Sequence, residues 1–210
     1  TLHWSPSCQA VNLNPYYFTI QAHDHATGSG LNNATYTTVA VQVVSPPVQN
    51  LSGTVVGDSV KLTWSPPLGC SSNANSSRNP ITEYIVYRIN TCIAYSPIPC
   101  QTGVPASSGY QVIGTCTASP YYDNNNGQGL PPGNSYSYIV IAKFADGSLS
   151  MAPPFTPDMC VTLHFGVPII TNVNVDTTDA LAGSIFIRWQ KPIVGATNFD
   201  TTIATNVGPY

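Results

Sequence analysis

The chain is predicted to be all-β, with antiparallel sandwiches in tandem. Three observations predict this. Helical periodicity is nearly absent, and short runs of alternating apolar and polar residues take its place. Nineteen prolines and sixteen glycines interrupt those runs. One beat (serine, alternating apolar residues, a basic residue, tryptophan, then proline) occurs twice, as SVKLTWSPP from Ser59 and SIFIRWQKP from Ser184.

Each strand follows from its own run. YYFTIQAHD (16–24) and TYTTVAVQVV (35–44) are rich in the aromatic and β-branched residues that fit a pleated surface. SVKLTW (59–64), EYIVYRIN (83–90) and YQVIGT (110–115) alternate with period two. NSYSYIVIAKF (134–144), MCVTLHF (159–165) and SIFIRW (184–189) complete the set. Two proline joints, SPPVQNL (45–51) and FGVPIITNV (165–173), stand between strands, where a missing ladder donor does least harm. They divide the chain into 1–45, 46–165 and 166–210. The middle piece is of ordinary domain size. Each outer piece holds two strands, too few to be stable alone.

Six basic and nine acidic side chains among 210 residues, a net charge of −3, leave the charged fraction far below the usual value of about a quarter. Ser, Thr, Asn and Gln must build the surface. Such a surface does not attract phosphate backbones, so nucleic acid is excluded as a partner. No apolar run approaches membrane-spanning length, so direct membrane insertion is not expected. The sequence begins at Thr1 rather than Met, which implies either processing or an excerpt of a longer chain.

Cys8, Cys70, Cys92, Cys100, Cys116 and Cys160 contain no CxxC pair. Scattered cysteines in a chain of low charge point to disulfides and an oxidising compartment. The alternative is a set of buried free thiols.

Signals for chemistry are sparse. His23 and His25 of HDH share one face of a strand and could grip a metal together, but no third ligand is evident. The bland alternative is a polar strand end running into a turn. DNNNGQG (123–129) is similar to a calcium loop, but its glycine comes one position early and Asn134 stands where the terminal Glu belongs. A tight turn explains it better. Glu83 is the only glutamate, and no nucleophile elbow, zinc helix or phosphate loop occurs. Neither catalysis nor a cofactor is expected. Sequons stand at Asn33, Asn50 and Asn75.

The middle piece resembles a fibronectin type III domain. PPVQNLSGTVVGDSVKLTWSPP is similar to that family's first two strands, with Trp64 as core tryptophan. ITEYIVYR resembles the third strand, and CVTLHF the last. LPPGNSYSYIVIAKFADGSLS (130–150) is the most specific match. The resemblance implies that Tyr136 or Tyr138 is the buried corner tyrosine, its hydroxyl bonded to backbone. It also makes residues 166–189 the opening of a further such domain, with Trp189 matching Trp64. Residues 16–44 resemble the closing hairpin of an immunoglobulin- or cadherin-like domain.

PCQTGVP, DNNNGQGLPPG and AKFADGSLS are similar to repeats in large secreted proteins of the Bacteroidetes, associated with gliding motility and type IX secretion. That resemblance implies a surface-exposed or released multidomain protein. It fits a Cys70–Cys100 bridge. It also places a cysteine at the position of Ser137, so Cys160 loses its implied partner, Cys92, Cys116 and Cys160 are unassigned, and Cys8 is left to pair with a residue outside this chain. Bacterial O-glycosylation motifs match at Asp58-Ser59-Val60, Asp176-Thr177-Thr178 and Asp200-Thr201-Thr202.

In the family's register, Tyr84 and Val86 face the core, and Ile85, Tyr87 and Ile89 face outward. On the neighbouring strand Ile139 and Ile141 also point out. These five residues make an apolar patch, which monomers rarely leave bare. Either another domain, subunit or ligand meets it, or the long segment 90–109 folds over it.

The functional expectation is a non-catalytic stalk, filament or adhesin segment whose partners are neighbouring domains or subunits, surface glycans or other surface proteins. Two alternatives stand beside it. One is a glycan-binding accessory region using tyrosines such as Tyr95, Tyr121 and Tyr122. The other is a filament subunit completed by strand exchange.

Overall fold

Each of the eight alternating runs forms a strand. The computed structural model describes residues 3–24, 33–73, 78–163 and 169–190. Within them the strands are β1 (Tyr16–His23), β2 (Ala34–Val41), β3 (Gln49–Val56), β4 (Ser59–Ser65), β5 (Ile81–Ile89) and β6 (Gln111–Cys116). They continue as β7 (Tyr121–Asp123), β8 (Ser135–Phe144), β9 (Cys160–Thr162), β10 (Ile169–Thr177) and β11 (Ser184–Gln190). Helix is limited to three single turns of 3₁₀ type among the described residues.

Two sheets, ordered β3-β4-β7 and β6-β5-β8-β9, face each other as an antiparallel sandwich of fibronectin type III and immunoglobulin-like character. The period-two pattern of β4 sends Val60, Leu62 and Trp64 inward. They meet Tyr84 and Val86 of β5 and Tyr136, Tyr138 and Val140 of β8 within one buried cluster. Trp64 packs edge-on against Tyr84, ring centroids 5.3 Å apart, a favoured aromatic geometry. The β3–β4 turn is the two-residue Gly57-Asp58, with Gly57 at the positive φ that primed turns require. β6 carries a bulge opposite Val86 and Tyr87, and the Tyr121 hydroxyl donates to the Ile113 carbonyl there. A Cβ on Gly114 would collide with that hydroxyl, so a larger residue there would have to displace the Tyr121 side chain.

The remaining strands make two separate hairpins, β1–β2 and β10–β11. Each has one apolar face. In the first, Trp4 packs edge-on against Tyr16 and Phe18. In the second, Val173, Val175, Ile185, Ile187 and Trp189 are all exposed.

Trp189 was expected as a core residue like Trp64, and here the structure differs. Trp64 lies between two sheets and is 7 % exposed, whereas Trp189 is 51 % exposed. The reason is that β10–β11 is a two-stranded sheet with no facing layer among the described residues.

Candidate functional site: a covered sheet face and a clamped joint

The outer face of the four-stranded sheet brings the five patch residues together. β5 and β8 pair antiparallel, with Ile85 opposite Ile141, Tyr87 opposite Ile139 and Ile89 opposite Ser137. The patch is not a free interface, which corrects that expectation. Ile139 and Ile141 are 0 % exposed, and Ile85, Tyr87 and Ile89 are half-buried. The chain that follows β5 covers the face. Thr102 bridges Met151, and the Gly103 N–H donates to the Ser150 carbonyl at 2.9 Å. Val104, Tyr95 and Leu149 pack on the cluster. Tyr110 closes the cover, with its ring edge-on to Tyr95 and its hydroxyl donating to Ser137 Oγ at 2.9 Å. Burial pushes the Tyr110 hydroxyl up, despite the Ser137 bond, so it stays a donor.

A disulfide pins this cover. Cys92 is bonded to Cys160, and Cys8 to Cys70, so both the Cys70–Cys100 pairing and a partner for Cys8 outside this chain are incorrect. Cys100 is an exposed free thiol and Cys116 a half-buried one. The register explains the Cys92–Cys160 bridge. Ser137 lies directly across from Cys160, and Ile89 directly across from Ser137. A thiol three residues past Ile89 therefore reaches across Ser137 to Cys160. Ser137 carries no thiol, so the partner of Cys160 comes from the cover. The Cys70 thiol, in turn, is taken by the N-terminal segment.

Among the described residues the interior carries one charged cluster. Asp123, at the end of β7, is buried and accepts from Arg88 Nη1 at 3.1 and 2.9 Å and from the Tyr138 hydroxyl at 2.9 Å. The Asn125 N–H donates to the same carboxylate at 3.1 Å. Four hydrogen bonds satisfy a charge that burial alone would penalise. Desolvation first, and the Asp123 charge second, push the Tyr138 hydroxyl far up, so it remains protonated and donates. Tyr136 and Tyr138 are both buried, but the Tyr138 partner is this carboxylate and not a backbone group. Arg88 also stacks over the Tyr136 ring at 5.4 Å. The 123–129 segment is a turn, with Asn125, Asn126, Gly127 and Gly129 at positive φ. Asp123, the first residue of that loop, is already fully engaged in ion-pair and hydrogen-bond contacts.

The segment before β3 is clamped to the sandwich. Besides the Cys8–Cys70 bridge, Asn79 Nδ2 donates to the Val11 carbonyl at 3.1 Å. Leu13 N–H donates to Asp146 Oδ2 at 2.7 Å. Ser148 gives Asp146 Oδ1 two bonds, from its N–H at 2.9 Å and its hydroxyl at 2.7 Å. Desolvation works against the charged Asp146, but the bonds from Ser148, Asn79 and Leu13 outweigh it and hold the carboxyl below its usual value. Val11 and Val43 are buried with the core, and Met151 N–H donates to the Ser45 carbonyl at 3.0 Å. A small cleft of about 190 Å³ remains between these parts and is lined by Val11, Val43, Leu149 and Cys100. A wider cleft of about 570 Å³ lies between the start of β3 and residues 153–159.

The other candidates scatter. His23 is exposed at the end of β1, and His25 lies outside the described residues, as do Asn75 and Thr201. Among the described residues no three His, Cys, Asp or Glu side chains converge on a metal position. Asn33 is exposed. Asn50 stands at positive φ in a register shift of β3, with Ser52 of its sequon bonded to Thr63 at 3.0 Å. Ser59 Oγ donates to Asp58 Oδ1 at 3.0 Å, and Thr177 is exposed. Of the named tyrosines, Tyr122 is exposed and Tyr95 and Tyr121 are half-buried. The aromatic residues the sequence reading passed over are Tyr17 and Tyr36, 68 % and 63 % exposed on one face of β1–β2. Strand alternation alone would have placed them there.

No protein-family model matches the chain, and no curated protein matches it. Among solved structures, the chain is similar to the twitchin kinase region from C. elegans, at 15 % identity and a TM-score of 0.40. That match covers 58 % of this chain and 17 % of that one. A human fibronectin type III domain is similar at 18 % identity and a TM-score of 0.33, over 57 % of this chain and 77 % of that one. Domains d3–d4 of the rat CD45 extracellular region follow at 13 % identity and a TM-score of 0.32, over 73 % and 69 %. Similarity this distant adds nothing about function, and the fold description rests on the strand order and register of this chain.

Proposed function

We propose that the chain is a non-catalytic structural and interaction segment of a secreted or cell-surface multidomain protein. The middle sandwich (46–165) would be one link, with 1–45 and 166–210 belonging to the links on either side. The observation that carries this reading is the clamped joint. A bridge and three or more hydrogen bonds hold the segment before β3 against the sandwich. A covalent joint suits a part that holds its neighbours at a set angle, as a stalk, filament or adhesin must. The sequence resemblance to exported Bacteroidetes surface proteins supports the same setting.

The test is to alkylate the protein from its source without reduction and then weigh it. Two modified thiols are expected, at Cys100 and Cys116. Six modified thiols would mean a reducing compartment and would sink the exported reading.

A second reading, glycan binding, is favoured by the outer face of β1–β2. Gln21 lies directly across from Tyr36 and its Nε2 donates to the Tyr36 hydroxyl at 2.7 Å, and the Thr19–Thr38 pair stands between them and Tyr17. Tyrosine rings beside amides and hydroxyls, with no carboxylate or ammonium among these five, suit neutral sugars. Retention on a panel of neutral polysaccharides, lost in Tyr17→Ala and Tyr36→Ala, would support it. Equal retention of both variants would remove it.

A further inference from the structure

We infer that the two disulfides make this chain a load-bearing link whose extension under tension is limited covalently. The inference rests on the structural reading above and adds what the link does when pulled.

Cys8–Cys70 closes a loop of sequence separation 62, and Cys92–Cys160 a loop of separation 68. The loops follow one another and do not overlap. A pull entering before Cys8 and leaving after Cys160 crosses each bridge directly. Of the 152 residue steps from Cys8 to Cys160, the bridges remove 130 from the path and leave the 22 from Cys70 to Cys92. The first loop shelters β1, β2, β3 and β4, and the second shelters β6, β7 and β8. Neither can lengthen while its bridge stands.

The exposed stretch is itself well chosen for load. It contains β5, the strand flanked by β6 on one side and β8 on the other. Both neighbours sit inside the second loop. β5 can extend only by sliding out between them, which loads the ladder hydrogen bonds of both pairings together. Its inward residues Tyr84 and Val86 are buried, which adds core packing to the resistance. At about 3.5 Å per extended residue, 22 residues yield at most roughly 8 nm, whereas the missing 130 would add about 45 nm.

Pulling single molecules by handles on the two chain ends tests this. The increment from unfolding residues beyond Cys160 is common to both redox states and cancels. The reduced chain is expected to reach about 45 nm farther than the oxidised chain. Reduction by a dithiol delivers two electrons and two protons to each bridge and closes the dithiol to its cyclic disulfide. Two double variants divide the gain. Without reductant, Cys92→Ser with Cys160→Ser should lengthen by about 24 nm, and Cys8→Ser with Cys70→Ser by about 22 nm. Equal lengths in the two redox states would overturn the inference, as would a gain in either variant that misses its loop. If a variant does not fold, its unfolded contour length still reads which loop is open. The length difference is measured on purified chain, so it stands or falls independently of the compartment found by alkylation.

Discussion

Asp123 is the residue on which the polar interior turns. Its carboxylate is shared by Arg88, Tyr138 and the Asn125 N–H, and the Arg88–Asp123 pair is largely out of water. Asp123→Ala leaves a guanidinium and a phenol without their acceptor. Loss of one partner of a buried pair costs about 3–5 kcal/mol, and urea denaturation should show a loss near the lower figure, because Arg88 retains some solvent. A change below about 1 kcal/mol would mean water replaces the carboxylate without penalty. Ile139 poses the complementary case. It lies on the face drawn from sequence as outward, yet it is fully buried under the cover. Ile139→Ala should therefore behave as a core truncation, losing about 2–5 kcal/mol and leaving the association state unchanged. A variant of native stability that loses self-association would restore the bare-patch reading.

At the scale of elements, β5 and β8 were legible because alternation sorts residues between two faces without any knowledge of the third dimension. YIVYRIN and YSYIVIAK set Ile85, Tyr87, Ile139 and Ile141 on one face, and the structure adds the register, Ile85 opposite Ile141 and Tyr87 opposite Ile139. What lies over that face was not legible. Residues 90–110 have no period, and their hold depends on contacts far away in sequence, such as Thr102 with Met151 and Tyr110 with Ser137. The pairing of Cys92 with Cys160 was hidden for the same reason, since it depends on where an irregular segment crosses the sheet. DNNNGQG marks Asp123 as part of a turn, which it is, but its second role depends on Arg88 and Tyr138 being brought near by sheet packing. If the bridge is what holds the cover, replacing Cys92 and Cys160 by serine should cost about 2–5 kcal/mol. Tyr110→Phe, losing one hydrogen bond, should cost about 1 kcal/mol. Thermal unfolding of both, compared with the parent chain, ranks the two anchors. A larger loss from Tyr110→Phe would place the hold in the hydroxyl.

For the whole molecule, the joint before β3 should respond to acid. Asp146 has its carboxyl held below the ordinary 3.8 by hydrogen bonds that outweigh its desolvation. A lowered folded pKa contributes stability that is fully present above the unfolded value and is lost as pH falls through the folded one. The clamp should therefore be intact at neutral pH and loosen only in strong acid. The Leu13 amide resonance, bonded to this carboxylate, should titrate with a midpoint below 3.8. A midpoint at or above that value would show that the bonds do not stabilise the charged form. The order of the cysteines bears on how such a molecule is made. Cys8 and Cys70 are neighbours in the series of thiols, so the first bridge needs only the thiol that emerges next from the ribosome. Cys92 must pass over Cys100 and Cys116 before reaching Cys160. A growing chain oxidised in order of synthesis would join Cys92 to the wrong partner. The second bridge therefore depends on the sandwich assembling first, or on an isomerase that reshuffles early mistakes, and the yield of correctly paired protein reports on that timing.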